Sequence, residues 1–196
     1  MIVERLPIGC VILAAGGSSR FGSNKLLAEF RGKTLIWRAL EAVPAGVPAA
    51  VVTGCGAVEE LAEAFGFLCV RNTRPELGIS RSVALGTAAL AERCGGLVFL
   101  VADQPLLRPQ TVERLIAAFR AEPDRIVVPV AGDRRGNPCV FPAELFPALQ
   151  SLEGDRGGAQ LIRAHPERVT AVEVPVRELL DADTVEALAA LDAQAP

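Results

Sequence analysis

The stretch CVILAAGGSSRFGSNK (residues 10–25) runs from a short apolar segment directly into a loop rich in glycine and serine. Its first six residues, CVILAA, are all apolar, which is typical of a strand buried on both faces of a mainly parallel sheet. Four further runs of this kind follow: AAVVT (49–53), FLCV (67–70), LVFLVA (97–102) and RIVVPV (125–130). The stretch therefore predicts the first strand of an α/β domain, with the loop at its carboxyl end.

Segments with apolar residues at helical spacing separate and follow the predicted strands. They cover residues 34–43, 57–65, 80–93, 109–121 and 183–192. Alternation of strands and helices implies right-handed crossovers and a three-layer α/β/α sandwich around a mainly parallel sheet. We expect one domain over residues 1–196, with an irregular insert at about 132–165 that covers one edge of the sheet.

Composition excludes several classes of protein. The 196 residues are 51% hydrophobic and 5% aromatic with a net charge of −3, which argues against a disordered chain and against nucleic-acid binding. No apolar run approaches the roughly 18–20 residues that span a bilayer, and the N-terminus does not resemble a signal peptide. The five cysteines are scattered without a CxxC pair, so we expect reduced thiols in a cytoplasmic protein that binds neither zinc nor a membrane.

The loop after the first predicted strand carries the groups that a phosphate needs. In an open α/β sheet, ligands bind outside the carboxyl ends of the strands. The candidate contacts are two glycines that allow close backbone approach, two hydroxyls and two cations: Gly16, Gly17, Ser18, Ser19, Arg20 and Lys25. The spacing matches neither GxxxxGK[ST] nor GxGxxG. Judged on these residues alone, a flexible turn with surface charges is an equal alternative.

An aspartate ends the predicted strand at residues 97–102. Asp103 follows LVFLVA directly and would lie at the same sheet edge as the glycine-rich loop. A carboxylate beside a triphosphate is the usual protein contribution to a Mg²⁺ site. A helix cap or a turn, which Pro105 favours, is the alternative interpretation. Because Asp103 is expected to lie beside the glycine-rich loop, a metal-binding role is favoured over a cap or turn.

The segment LAAGGSSRFGSNK (13–25) resembles the LAAGxSxRMGxxK signature of the MobA-like nucleotidyltransferases, with Phe21 in place of methionine. Within that family it is most similar to the molybdenum cofactor cytidylyltransferases, because Ala15 stands where the guanylyltransferases have a second glycine. The resemblance implies a Rossmann-like sheet of the nucleotide-diphospho-sugar transferase type. It also implies that Arg20, Lys25 and Asp103 are catalytic, and it gives the nucleotide-binding residues as Leu13, Ala14, Ala15, Gly16, Gly17, Ser18, Ser19, Arg20, Lys25, Asn72, Ser80 and Asp103.

Further motifs of the same family follow in order. NTRPELGISRS (72–82) resembles NPxxxxGxSxS and supplies Asn72 and Ser80, and DADTVE (181–186) resembles DIDTPE. One of Asp181 and Asp183 would complete the Mg²⁺ site with Asp103; the sequence leaves both open, and Asp183 is also a natural helix cap.

The acceptor side of the family's site has two motifs of its own. GNP (136–138) and GDRGG (154–158) resemble them, which implies five acceptor-binding residues: Gly136, Asn137, Pro138, Gly154 and Asp155. Ala159 stands where the family has an arginine, and either Arg156 or Arg163 could substitute for it. The one histidine, His165, is expected at the surface.

The resemblance implies Mg²⁺-dependent transfer of CMP from CTP to the phosphate of molybdenum cofactor, giving molybdopterin cytosine dinucleotide and pyrophosphate. A phosphate acceptor is already ionised, so no strong general base is required. Transient contact with a molybdoenzyme or its chaperone is a further expectation. The alternatives are a guanylyltransferase for the same cofactor, a sugar- or alditol-phosphate nucleotidyltransferase, and a non-catalytic module that delivers cofactor. An NAD(P)-dependent reductase, suggested by Gly54-Cys55-Gly56, is a fourth.

Overall fold

The structure is a computed structural model that describes residues 6–16 and 24–193. Its strands are β1 Ile8–Ala14, β2 Glu29–Phe30, β3 Lys33–Thr34, β4 Ala49–Thr53, β5 Leu68–Arg71, β6 Gly96–Val101, β7 Ile126–Ala131, β8 Arg134–Arg135, β9 Cys139–Pro142 and β10 Val169–Glu173. Its α-helices are α1 Leu35–Glu41, α2 Gly56–Ala64, α3 Ile79–Leu90, α4 Pro109–Ala121, α5 Phe146–Gln150, α6 Ala159–Ala164 and α7 Val185–Ala193. The five predicted strands are β1, β4, β5, β6 and β7, each within two residues of the expected bounds.

The central sheet has the strand order β10-β7-β9-β6-β1-β4-β5. The short strand β8 pairs with the last two residues of β7. Strand β1 pairs in parallel with β4 on one side and with β6 on the other. Only β8 and β9 run against the remaining strands of this sheet in the described part of the chain. A separate antiparallel pair is formed by β2 and β3. The predicted mainly parallel sheet is confirmed.

Both faces of the sheet are covered by helices. Along β1, Cys10 and Ile12 face one apolar cluster, and Val11 between them faces the other. The first cluster includes residues of α1, α2 and α4, and the second includes residues of α3, α5 and α6. A strand buried in this way needs apolar residues at successive positions, which explains the near-continuous apolar runs in the sequence. The result is the predicted three-layer arrangement.

The expected position of the insert at about 132–165 was wrong. Its strand β9 lies inside the sheet, antiparallel to β6 on one side and to β7 on the other. All four residues of β9 are buried, with Val140 in the first apolar cluster and Phe141 in the second. The insert therefore forms part of the central sheet and does not cover its edge.

The C-terminal segment packs over the hairpin of β2 and β3. Leu188 and Leu191 of α7 lie in a third apolar cluster with Phe30 and Leu35. The Arg31 Nε atom donates to Asp192 Oδ1 at 2.9 Å, which ties the hairpin to the end of α7. Just before α7, the Ala182 amide donates to the Asp103 carbonyl at 2.8 Å, which holds this segment against the carboxyl end of β6. Among the helices of the described residues, none is both long and apolar enough to cross a bilayer.

Candidate active site

The carboxyl ends of β1 and β6 form one edge of the site. Leu13 is paired with Val101, and the Ala102 amide donates to the Leu13 carbonyl at 3.3 Å. Ala15 and Gly16 therefore leave the sheet beside Asp103. The predicted loop residues Gly17, Ser18, Ser19 and Arg20 lie outside the described residues.

The Lys25 ammonium lies between two carboxylates. Its Nζ atom is 2.8 Å from Asp103 Oδ2 and 3.2 Å from Asp183 Oδ1. Lys25 begins a short 3₁₀ turn (Lys25–Leu27) that Asn24 caps, because the Asn24 Oδ1 atom accepts from the Leu26 amide at 3.1 Å. Burial acts to lower the pKa of Lys25, but the hydrogen bonds and charges of Asp103 and Asp183 outweigh it and raise the pKa. Lys25 is thus held as a cation at this position.

The two C-terminal aspartates have different partners. Asp181 Oδ1 accepts from the buried Gln104 Nε2 at 2.9 Å, whereas Asp183 contacts Lys25. Burial and the negative charges of Asp103 and Asp183 raise the pKa of Asp181, although the Gln104 hydrogen bond opposes the shift. The cap of α7 comes from neither aspartate, because Thr184 Oγ1 accepts from the Ala187 amide at 3.0 Å. Asp183 is therefore left to face Lys25, which distinguishes it from Asp181.

The carboxylates of Asp103 and Asp183 are placed to share one cation, as their common contact with the Lys25 ammonium shows. Within residues 6–16 and 24–193, no group of three or more histidine, cysteine or acidic side chains forms a ready-made metal cage. Mg²⁺ is usually held by one or two carboxylates together with water and substrate phosphates. The donor set of Asp103 and Asp183 fits that mode of binding.

Two adjoining cavities open at this sheet edge. The smaller, of about 250 Å³, is lined by Gly16, Lys25, Ser82 and Asp103 among others. The larger, of about 580 Å³, lies over β6, β7 and β9 and extends to α6. Both cavities share four lining residues: Leu13, Ile79, Val101 and Asp155. A ligand in one cavity can therefore meet a ligand in the other beside Asp155.

The shared wall is built by close approach of two backbone segments. The Ser80 amide at the start of α3 donates to the Gly154 carbonyl at 3.1 Å. Gly78, which precedes α3, has φ +88°, and a β-carbon there would collide with the Gly154 backbone. Glycine at position 78 thus allows both the positive φ angle, which occurs with an extended ψ of 179°, and the contact that positions Asp155.

The variant Gly78→Ala is expected to lower the free energy of unfolding by about 2–4 kcal/mol, because it adds φ strain and a backbone collision. Gly66→Ala is the matched control, since Gly66 has φ +75° but a β-carbon at this position would meet nothing within 4 Å. Gly66→Ala should lose only about 1–2 kcal/mol from φ strain. Urea unfolding measures the loss of free energy of unfolding in both variants. Equal losses would show that the collision with the Gly154 backbone adds nothing to the cost of Gly78→Ala.

A family model described as the MobA-like NTP transferase domain matches residues 10–169, more than three quarters of the chain. The chain belongs to this family. It is therefore a nucleotidyltransferase, and the family suggested by its first loop is confirmed. The matched range includes most of β1 together with Lys25, Asp103 and Asp155, and all the lining residues of both cavities lie within it.

Individual relatives span nearly the whole chain. Nicotine blue oxidoreductase of Paenarthrobacter nicotinovorans is 34% identical over 190 residues, which cover 90% of this chain and 92% of that protein. The structure of Rv0371c from Mycobacterium tuberculosis H37Rv has a TM-score of 0.80 at 30% identity and covers 98% of this chain and 100% of that one. A second structure of Rv0371c, in complex with manganese, has a TM-score of 0.74 at 27% identity and covers 96% and 100%.

The motif residues of the MobA-like family occupy different depths in the structure. Leu13, Ala15 and Gly16 line the smaller cavity, and Ala14 is buried within β1. The Asn72 side chain is buried and uses its amide internally, donating to Ser82 Oγ at 3.1 Å and accepting from the Arg74 amide at 3.0 Å. Ser80 is also buried. Neither Asn72 nor Ser80 lines either cavity, so the structure does not bring these two predicted contacts to the cavity walls.

The family's acceptor-side motifs converge on the larger cavity. Gly136, Asn137 and Asp155 line it, whereas Pro138 is buried beside it and Gly154 contributes its carbonyl to Ser80. Of the two arginines that could substitute for the family's arginine, Arg163 lines this cavity and Arg156 does not. Arg163 follows Ala159 by four residues on α6, so both lie on the same helix face.

Sequence reasoning missed several cavity residues of this MobA-like chain. Ile79 and Ser82 of α3 line the smaller cavity, and Arg135 of β8 lines the larger one. The spacing of Ile79 and Ser82 on one face of a helix was visible in the sequence. Arg135 gave no comparable signal, because β8 is only two residues long and exposed.

Proposed function

We propose that the protein transfers CMP from CTP to the phosphate of molybdenum cofactor in a Mg²⁺-dependent reaction, releasing pyrophosphate and forming molybdopterin cytosine dinucleotide. The observation that carries this proposal is the pair of cavities that meet at Asp155. Lys25 and Asp103 line the smaller cavity, with Asp183 in contact with Lys25, and Phe99 and Phe141 line the larger one. A compartment with a cation and a carboxylate at its wall and one with two aromatic rings suit a triphosphate and a heterocyclic acceptor.

On the nucleotide side, the protein supplies charge and backbone contacts. Lys25 is held as a cation and would lie against the triphosphate, where it stabilises negative charge that develops on transfer. Gly16 lines the cavity without a side chain, so the backbone can approach phosphate oxygens there. Asp103 and Asp183 would hold Mg²⁺, which would neutralise charge on the transferred α-phosphoryl group and on the leaving pyrophosphate. The choice of cytosine rests on Ala15 and its resemblance to the cytidylyltransferases.

On the acceptor side, catalysis needs position more than proton transfer. A phosphate monoester is ionised at neutral pH and attacks the α-phosphorus in line with the leaving pyrophosphate. None of the described residues that line the two cavities is a histidine, and His165 lies elsewhere beside Glu167. The walls shared at Leu13, Ile79 and Asp155 would set the distance between the two substrates.

A second candidate function comes from the nicotine blue oxidoreductase relative. An oxidoreductase of this kind would bind a flat aromatic substrate in the larger cavity, where Phe99 and Phe141 pack edge to face. The turn 54–56 that suggested a dinucleotide lies at the end of β4, and a β-carbon at Gly54 would be 2.9 Å from the Asn72 carbonyl. Packing against Asn72 thus accounts for glycine at position 54 without a bound dinucleotide.

A pyrophosphate-release assay separates these functions. The protein is mixed with Mg²⁺ and CTP, GTP, ATP or UTP, with purified molybdenum cofactor or a sugar phosphate as the acceptor. We expect release only with CTP and molybdenum cofactor together. Release with GTP alone among the triphosphates would replace the cytidylyl assignment by a guanylyl one. Oxidation of NADH or NADPH by nicotine blue, without pyrophosphate release in any mixture, would favour the oxidoreductase.

A further inference from the structure

A buried carboxyl group lies in the segment that carries the two C-terminal aspartates. Glu178 is 2% exposed, and the apolar residues Leu179 and Ala182 of the same segment are buried as well. Its Oε2 atom accepts from the Arg108 amide at 3.2 Å, and its Oε1 atom lies 3.9 Å from Arg108 Nε. Burying a carboxyl group costs free energy, and an apolar side chain of similar volume is often at least as stable in such a place. Glu178 is therefore expected to do more than stabilise the fold.

Residues 178–183 and the loop of residues 103–108 run side by side in opposite directions. The Ala182 amide meets the Asp103 carbonyl at one end, and the contact of Glu178 lies at the other end. Contacts in this order give the two segments a defined register. The three pairs are Glu178 with Arg108, Asp181 with Gln104, and Ala182 with Asp103.

A shift of this register would exchange the two aspartates. Asp181 and Asp183 are two residues apart, so a shift of two positions would bring Asp181 to the place where Asp183 now contacts Lys25. Backbone contacts cannot prevent this, because every residue other than proline offers an amide donor. Residues 174–180, however, contain no acidic side chain except Glu178, so its contact with the start of α4 can form in one register only.

We propose that Glu178 is a positioning residue, whose contact with the start of α4 selects Asp183 over Asp181 for the candidate active site. With the register fixed in this way, Asp183 lies against Lys25 and would hold Mg²⁺ with Asp103, a role that rests on the proposed reaction. Glu178 lines neither cavity, so it acts through the place of Asp183 and not by contact with a substrate.

Amide hydrogen exchange of the full chain tests the register without metal or substrate. In Glu178→Leu we expect exchange at the Ala182 amide to rise about 30-fold, because the segment opens more often once its far contact is lost. Exchange at Ile12, in the middle of β1, should stay within about twofold of wild type. Glu178→Gln keeps an oxygen that can accept from the Arg108 amide, so exchange at Ala182 should stay within about threefold.

The control for lost ion pairs is Glu59→Leu. Glu59 is the carboxylate partner of Arg71 and lines neither cavity, so its loss should leave exchange at Ala182 unchanged. If Glu178→Leu does not fold, Arg108→Pro removes the donating amide instead and should give the same rise at Ala182. Arg108 is extended, with φ −109° and ψ 148°, and already precedes a proline.

Mn²⁺ binding shows which aspartate the segment presents. The test uses Lys25→Met protein, in which no ammonium competes for the carboxylates, and the EPR signal of free Mn²⁺ measures binding. We expect Asp183→Asn to weaken Mn²⁺ binding about tenfold or more and Asp181→Asn about twofold at most. With Glu178→Leu added, the two aspartate variants should have equal effects. With Glu178→Gln in its place, the difference between them should return.

Four results would overturn the role of Glu178: equal acceleration of exchange at Ala182 and Ile12, no acceleration at Ala182, an equal effect in Glu59→Leu, or an aspartate difference that survives Glu178→Leu. If the Lys25→Met protein binds no Mn²⁺, the metal site of the proposed reaction fails and hydrogen exchange alone decides the role of Glu178. If pyrophosphate is released from CTP but exchange at Ala182 is unchanged in Glu178→Leu, the reaction stands and the positioning role fails.

Discussion

Replacing Asp103 by asparagine is expected to lower the turnover of nucleotidyl transfer about 1,000-fold. Asparagine keeps the shape of the side chain but removes one of the two carboxylates that converge on the Lys25 ammonium. A metal-bound phosphoryl group gains several kcal/mol of transition-state stabilisation from its cation, and a loss of about 4 kcal/mol corresponds to this factor. Pyrophosphate release at saturating triphosphate measures the effect.

Asp133→Asn is the matched control for Asp103→Asn. Asp133 is exposed in the turn between β7 and β8 and lines neither cavity, so its loss should leave turnover within about twofold of wild type. Thermal unfolding of both variants checks that the fold is kept. A turnover for Asp103→Asn close to that of Asp133→Asn would remove Asp103 from the mechanism.

Lys25→Met is expected to lower turnover about 100- to 1,000-fold, the range found when one preorganised charge-stabilising group is removed from an active site. Methionine preserves most of the length and apolar contact of the lysine stem but carries no charge. In this variant Asp103 and Asp183 lose the cation that they share. Added Mn²⁺ should therefore raise the melting temperature of Lys25→Met more than that of the wild-type protein.

Lys33→Met is the control, because the chain has only one other lysine and Lys33 pairs with Glu41 away from both cavities. It should retain wild-type turnover and the wild-type response to Mn²⁺. Wild-type turnover in Lys25→Met would assign Lys25 a purely structural part. An unchanged response to Mn²⁺ would show that Asp103 and Asp183 do not share a metal site.

The strands that could be predicted from the sequence are those in which nearly every residue is buried. Strands β1, β4 and β6 are apolar at nearly every position because helices cover both faces of the sheet. Strand β9 was missed because it has four residues, follows Pro138 and ends at Pro142, and proline normally argues against a central strand. Strand β10 was missed because it lies at the sheet edge and is partly exposed.

Some residues of the candidate site could likewise be predicted from the sequence, and others could not. The place of Asp103 follows from its position at the end of an apolar strand. The distinction between Asp181 and Asp183 could not be predicted from the sequence, because it depends on Gln104 binding Asp181 and on Thr184 capping α7. Those contacts join parts of the chain that only tertiary packing brings together. Sequence patterns report burial and chain direction well, but they do not report which of two neighbouring carboxylates turns towards a distant lysine.

The central position of β9 in the sheet limits which sequence changes can alter the acceptor specificity of the protein. Gly136 and Asn137 lie just before a strand that is paired with β6 on one side and β7 on the other. Inserting or deleting one residue in β9 would move Val140 and Phe141 to opposite faces of the sheet. Natural or engineered changes of acceptor should therefore proceed here by replacement of side chains at constant length. Grafts from relatives should be tolerated only when the number of residues in β9 is preserved.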